Sequence, residues 1–175
     1  MGASRQPVVR GSAATAVAAL AALMGGCPGV GSPAPKNDFA ALGEPVTLVV
    51  NGHRLRLWVA DEPLERNRGL MNVAAEELAD TPDGAHRGML FVFDRPEVLN
   101  FWMQNTIVPL DIAYLDHTGR VVQTHTMAPL QTRLYSSIEP AQFAIELPAG
   151  MLATIGLGTG DRVSLPDSLL KGNGP

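Results

Sequence analysis

Residues 46–59 place the tightest constraint on what this chain can fold into. Val46-Thr-Leu-Val-Val50 and Leu55-Arg-Leu-Trp-Val59 are apolar-rich runs that flank Asn51-Gly52. An Asn-Gly pair accepts the positive φ values of a type I′ turn, whose twist suits two antiparallel strands. The spacing therefore predicts a β-hairpin. On its second strand Leu55, Leu57 and Val59 share one face, and Arg54, Arg56 and Trp58 share the other.

The rest of the chain alternates short apolar runs with turn residues. Asp61 is expected to cap a helix beginning at Pro63, with Glu65 in its first turn. Glu76–Leu78 reads as a second short helical piece and Thr81-Pro-Asp-Gly84 as a turn. Gly88-Met-Leu-Phe-Val-Phe93 is a continuous apolar run, expected to be a strand buried on both faces and broken by Asp94-Arg-Pro96. Further strands are predicted at Phe101–Thr106, Asp111–Leu115, Val121–Met127, Phe143–Leu147 and Arg162–Leu165. Asp116-His-Thr-Gly119 is a hairpin turn. Pro148-Ala-Gly150 opens a short helix or turn, and Asp161 is expected to fix the backbone of the turn at Gly156–Gly160. The class is α+β: a mostly antiparallel sheet, with one or two short helices, curling into a small barrel or sandwich.

The N-terminal stretch reads as an export signal. Arg5 and Arg10 precede an apolar run from Ala13 to Met24, which is shorter than the roughly 20 residues of a membrane span. It ends in Leu23-Met24-Gly25-Gly26-Cys27, which resembles a bacterial lipobox. Cys27 is the only cysteine, so it has no intramolecular disulfide partner and is the expected lipidation site. Residues 1–27 are thus read as a lipoprotein signal ending at the lipidated cysteine. Residues 28–42 form a tether rich in Pro, Gly, Ser and Ala, 43–168 one globular domain, and 169–175 a disordered tail. The chain has 13 basic and 17 acidic residues; without the leader's two arginines, 11 face 17, a net charge of −6. No basic run or stripe is present, which argues against a nucleic-acid partner. Membrane contact is expected through the lipid, on the extracytoplasmic side of the cell envelope.

Arg68-Gly-Leu-Met71, Gly88-Met-Leu-Phe91, Phe101-Trp-Met-x-Asn-Thr106, Leu110-Asp-Ile112, Glu146-Leu-Pro-Ala-Gly150 and Gly160-Asp161 occur in that order. Together they resemble the family known as domain of unknown function 192, over roughly residues 45 to 166. The resemblance implies an α+β domain with a β-rich core, often exported or lipid-anchored. It implies no agreed activity. After Met71 the family usually continues with a basic or aromatic residue, whereas Asn72 and Val73 follow here.

The chemistry concentrates between Phe101 and Ile112, where an amide, a hydroxyl and a carboxylate sit among large apolar side chains. Buried polar groups need partners, because an unpaired one costs about 1–3 kcal/mol. One expectation is a small polar pocket walled by Trp102 and Met103, with Asn105, Thr106 and Asp111 brought together by a bend before Pro109 and with Arg68 and Glu146 as charged companions. That mix suits a sugar-like or other small polar ligand. The alternative is a structural network in which Asn105 and Asp111 satisfy backbone groups and Arg68 neutralises a buried acid.

Two further chemistries follow from residue types. His125-Thr126-Met127 places an imidazole and a thioether on one strand face, a pair suited to Cu(I), although methionine also fills irregular cores. Ser136, Ser137, His125 and Asp111 contain the ingredients of a hydrolytic triad, without a Gly-x-Ser-x-Gly elbow. Asp111 and Glu146 would suit glycoside hydrolysis if paired. The leading expectation is a lipid-anchored envelope domain that binds a small polar ligand or a protein partner, without catalysis and without a cofactor. The alternatives are an envelope hydrolase acting on cell-wall or sugar-like material and a periplasmic Cu(I)-binding protein.

Overall fold

A computed structural model describes residues 39–170. The signal, Cys27 and most of the expected tether lie outside the described residues, as do residues 171–175.

The predicted hairpin forms. Strand β1 (Val46–Val50) pairs antiparallel with β2 (His53–Ala60), and Asn51 and Gly52 between them have φ of 50° and 83°. The Asn51 side chain donates to the carbonyls of Ile155 and Gly156 at 3.0 and 2.9 Å, tying the turn to the far end of the domain.

Helix α1 (Pro63–Arg68) begins at Pro63 as expected, but its N-cap is Glu62 rather than Asp61. The Glu65 carboxylate reaches back and accepts from the backbone N–H groups of Glu62 (3.2 Å) and Asp61 (3.3 Å). A 3-10 turn covers Ala75–Leu78. The chain then enters β3 (His86–Glu97), which pairs parallel to β2. That parallel pair corrects the expectation of hairpin connections throughout. Parallel neighbours need a crossover of a dozen or more residues, and residues 61–85 are that crossover. Asp94-Arg-Pro96 does not end the strand; β3 runs through it with a register shift between Val92 and Glu97 against its other neighbour.

The predicted strand at Phe101–Thr106 is reduced to β4 (Asn100–Phe101), paired with β7 (Tyr135–Ser136) in a separate two-stranded ribbon. The chain then turns, Thr106 N–H donating to the Met103 carbonyl at 3.1 Å. Strands β5 (Leu110–Leu115), β6 (Val121–Met127) and β8 (Ala141–Pro148) form where expected. Gly119, at φ 79°, closes the β5–β6 turn onto the Asp116 carbonyl. Helix α2 (Met151–Thr154) follows β8. Asp161 accepts from the Gly158 N–H at 2.8 Å and so holds the glycine-rich turn as predicted. The final strand at Arg162–Leu165 is absent; Arg162 makes only an isolated bridge to Arg120.

The main sheet has the order β1-β2-β3-β8-β5-β6. It is a mixed, open sheet of α+β class. Its outer strands β1 and β6 do not meet, so no closed barrel forms among the described residues. One face packs Leu55, Leu57, Phe143, Ile145 and Leu147 beneath α2. The other packs Met89, Phe91, Ile112, Tyr114 and Ala144 beneath the crossover and the β4–β7 ribbon. The expected tether ends in structure: Phe39–Leu42 form a 3-10 turn, and Phe39 stacks on Trp58 with ring centroids 3.9 Å apart. At the other end Asp167–Leu170 form helix α3, with Leu169 against the first face.

Candidate functional site

Glu146 lies in the middle of a strand buried on both faces. Alternation along β8 sends Phe143, Ile145 and Leu147 to the α2 side and Ala144 and Glu146 to the crossover side. Its cross-strand neighbours are Met89 on β3 and Ile112 on β5, both core residues. Glu146 is 4% exposed. Burial pushes its carboxyl up from 4.5 to about 8, because the charged form loses hydration that nothing replaces. No hydrogen bond to the carboxyl comes from a described residue, yet no fully enclosed side-chain oxygen or nitrogen lacks a partner. The carboxyl oxygens therefore open onto a space.

That space is a cavity of about 220 Å³ between the crossover and the sheet. Glu146 is its floor; Phe91 and Phe93 on β3, Phe101 on β4 and Trp102 form its walls. Phe101 meets Phe91 edge-on at 4.8 Å and Phe93 at 6.4 Å. Thr106 and Asn100 also line it, and Arg66, Arg68 and Met71 come from the crossover. Arg66 is engaged: it donates to the Asp61 carbonyl and, at 2.8 Å, to the Val92 carbonyl, and its guanidinium lies over the Phe93 ring at 5.1 Å. Arg68 is exposed and has no ion pair with a described residue within 4.0 Å.

The local sequence explains how the crossover comes so close. Gly69 ends α1 at φ 46°, and a Cβ there would stand 3.2 Å from the Phe91 ring. Leu70 is then buried in the core. Asn72, at φ 58°, donates its N–H to the Asn105 carbonyl at 2.8 Å, and Asn105 is itself at φ 56°. Asparagine tolerates the left-handed region better than other side chains with a Cβ. Asn72, which departs from the expected family pattern, thus suits its position.

The proposed constellation divides. Arg68, Trp102, Thr106 and Glu146 meet at the cavity. Met103 does not wall it: it is fully buried in the core. Asn105 serves the seam to the crossover through its backbone and is exposed. Asp111 lies on the opposite face of the sheet, since Ile112, not Asp111, pairs with Glu146. Its carboxylate accepts from the Thr126 hydroxyl at 2.7 Å and from the Leu152 N–H at 3.1 Å, joining β6 to the start of α2. For Asp111 the structural-network alternative holds. Arg68 does not neutralise Asp111 or Glu146, because no such ion pair forms.

His125 and Met127 do share a face, but Met127 is fully buried, and the His125 Nε2 is 2.8 Å from the Ser136 carbonyl. The triad does not assemble, because Asp111 faces away from His125. Among the described residues no group of three His, Cys, Asp or Glu side chains is placed to hold a metal ion. The sequence reading missed Phe91, Phe93 and Phe101 as cavity walls. The alternation of Phe91 and Phe93 in β3 was the available signal.

The family known as DUF192, described as uncharacterized ACR, matches residues 46–165. The chain belongs to that family. A UPF0127 protein of Thermococcus gammatolerans is 29% identical over 127 residues, covering 67% of this chain and 74% of that protein. Two crystal structures share the fold seen here, each at 31% identity over 69% of this chain. One is a Sinorhizobium meliloti protein described as a proposed transcription regulator, with a TM-score of 0.59 over 92% of its chain. The other is a Novosphingobium aromaticivorans protein of unknown function, with a TM-score of 0.60 over 84% of its chain. The cavity lies within the DUF192 match, and four of its residues, Arg68, Phe91, Trp102 and Glu146, come from four separate sequence motifs.

Proposed function

We propose that this protein is a binding module that takes a small polar ligand into the cavity between the crossover and the sheet. The observation that carries this reading is the Glu146 carboxyl: buried, without a partner among the described residues, and open to a cavity walled by aromatic rings. Such a group costs stability unless something repays it. Aromatic walls with a few fixed polar groups are the usual make-up of a small-molecule site. We place the domain at the cell envelope, anchored through Cys27, on the leader sequence alone.

A hydrolase receives less support. A raised carboxyl suits a general acid, but the second acid weighed for glycoside hydrolysis, Asp111, is on the other side of the sheet. Nucleic-acid binding has little to work with in a chain with 17 acidic and 13 basic residues, although the Sinorhizobium protein is described as a proposed transcription regulator.

The test is a thermal-shift screen of the full chain against amines, amino acids, carboxylates, polyols and sugars, followed by tryptophan fluorescence in a Trp58→Phe variant that leaves Trp102 as the reporter. Asn100→Trp fills the mouth from an exposed position. A compound that raises the melting temperature of the wild type and not of N100W supports the reading. A screen with no such compound overturns it.

A further inference from the structure

The cavity is electrically two-ended. Its floor is a single carboxyl that receives no hydrogen bond from the described residues. Its mouth carries the Arg68 guanidinium, with no carboxylate within 4.0 Å among those residues. Phe91, Phe93, Phe101 and Trp102 line the same cavity. Aromatic faces attract positive charge, and this wall already holds one cation, the Arg66 guanidinium over Phe93.

A simple cation would share the cavity with two arginines. A simple anion would satisfy Arg68 and leave the Glu146 carboxylate unpaired or force it to stay protonated. A molecule with both charges a few ångströms apart meets both ends. Resting on the cavity-binding reading above, we propose that the ligand is a small zwitterion, its ammonium directed at Glu146 between the aromatic walls and its carboxylate at Arg68. A volume of about 220 Å³ limits it to amino-acid or betaine size.

The proposal carries a pH signature with a definite sign. The ammonium needs Glu146 ionised, and in the empty site burial holds that carboxyl near 8. Binding therefore releases a proton at neutral pH, and affinity rises about tenfold between pH 7 and 9 before levelling off. The other charged or titratable groups packed around Glu146 do not change over this interval. Arg66 and Arg68 on the crossover remain cationic. Tyr114 on β5 is pushed up first by burial and then by the Glu146 charge. Met89 and Phe91 on β3, and Asn100, Trp102 and Thr106 around the mouth, carry no titratable group.

The experiment is calorimetric titration of the full chain with glycine betaine, whose charge does not titrate here. Two probes of the same shape accompany it: choline, which lacks the carboxylate, and 3,3-dimethylbutanoate, which lacks the positive charge. Betaine is expected to bind at least tenfold tighter than either, more tightly at pH 9 than at pH 7. Glu146→Gln should remove the pH dependence, and Arg68→Gln, at an exposed position, should bring betaine down to the affinity of choline while leaving choline unchanged. Equal binding of 3,3-dimethylbutanoate, or affinity that falls as pH rises, overturns the zwitterion. If a sugar or a simple carboxylate binds in an N100W-sensitive way and betaine does not, the zwitterion fails and the binding module stands. If nothing binds, both fail.

Discussion

At Glu146 the carboxyl group loses its hydration on folding and gains no hydrogen bond from the described residues. The native state therefore holds this proton up to about pH 8, whereas the unfolded chain releases it near 4.5. Between those values the native form binds more protons, so stability falls as pH rises, by up to about 1.4 kcal/mol per unit. The loss is complete above pH 8 and absent below 4.5. Glu146→Gln should flatten that slope, and denaturant melts of both proteins at pH 5, 7 and 9 would check it; parallel profiles would show the burial cost to be negligible. Asp111 behaves differently. Asp111→Ala leaves the buried Leu152 N–H without its acceptor and should cost about 1–3 kcal/mol, with ligand affinity at the cavity unchanged. Lost binding in a folded D111A protein would contradict its placement across the sheet. Both acids were visible in the sequence as polar residues in apolar strands. Which face each one takes depends on register, and register between β5 and β8 is set by the whole sheet. Composition cannot separate Asp111 from Glu146; the pairing of Ile112 with Glu146 does.

At the scale of elements, the hairpin at Asn51-Gly52 was fully legible because its turn chemistry is local. So were the start of α1 at Pro63, the Asp116–Gly119 turn and the positions of β5, β6 and β8. The stretch 101–106 was not. Its extended composition suggests a strand, but only Asn100 and Phe101 find a partner strand. Beyond them the chain is held by single bonds to other loops: Met103 N–H to the Gln131 carbonyl at 2.9 Å and Leu130 N–H to the Thr106 carbonyl at 3.0 Å. The β2–β3 parallel pair was equally hidden, since a crossover built from a six-residue helix and one 3-10 turn resembles a loop. Packing of β3 on β8 has its own critical residue. A Cβ at Gly88 would stand 2.2 Å from the Glu146 carbonyl oxygen and 2.7 Å from the Leu147 side chain. Gly88→Ala must push apart two central strands, and it should cost about 3 kcal/mol or more. A G88A protein that melts within a degree or two of the wild type would be inconsistent with this packing.

For the whole chain, the described residues account for a sheet with two covered faces and a cavity under one of them. Every described cavity residue belongs to the 61–85 crossover, to β3, to β4 and the loop after it, or to β8. The leader adds an expectation of a different kind. If Cys27 carries lipid, the mature chain partitions with membranes, and Cys27→Ser releases it into the soluble fraction without shifting the melting temperature of the domain. Mass spectrometry of the mature N-terminus checks it: a cysteine without acyl groups, in a chain processed elsewhere, removes the anchor and leaves the cavity reading intact.

The Asn72 N–H bond to the Asn105 carbonyl joins the crossover to the loop that carries Trp102. It connects two segments that are each bent through a left-handed residue and that form no strand ladder with one another. Parting the crossover from this loop to widen the mouth would have to break that bond. The exchange rate of the Asn72 amide with deuterated water would therefore serve as a clock for ligand entry, slowing when the cavity is filled while core amides in β8 stay as they were. An Asn72 amide whose exchange ignores a bound ligand would place the entrance elsewhere on the rim.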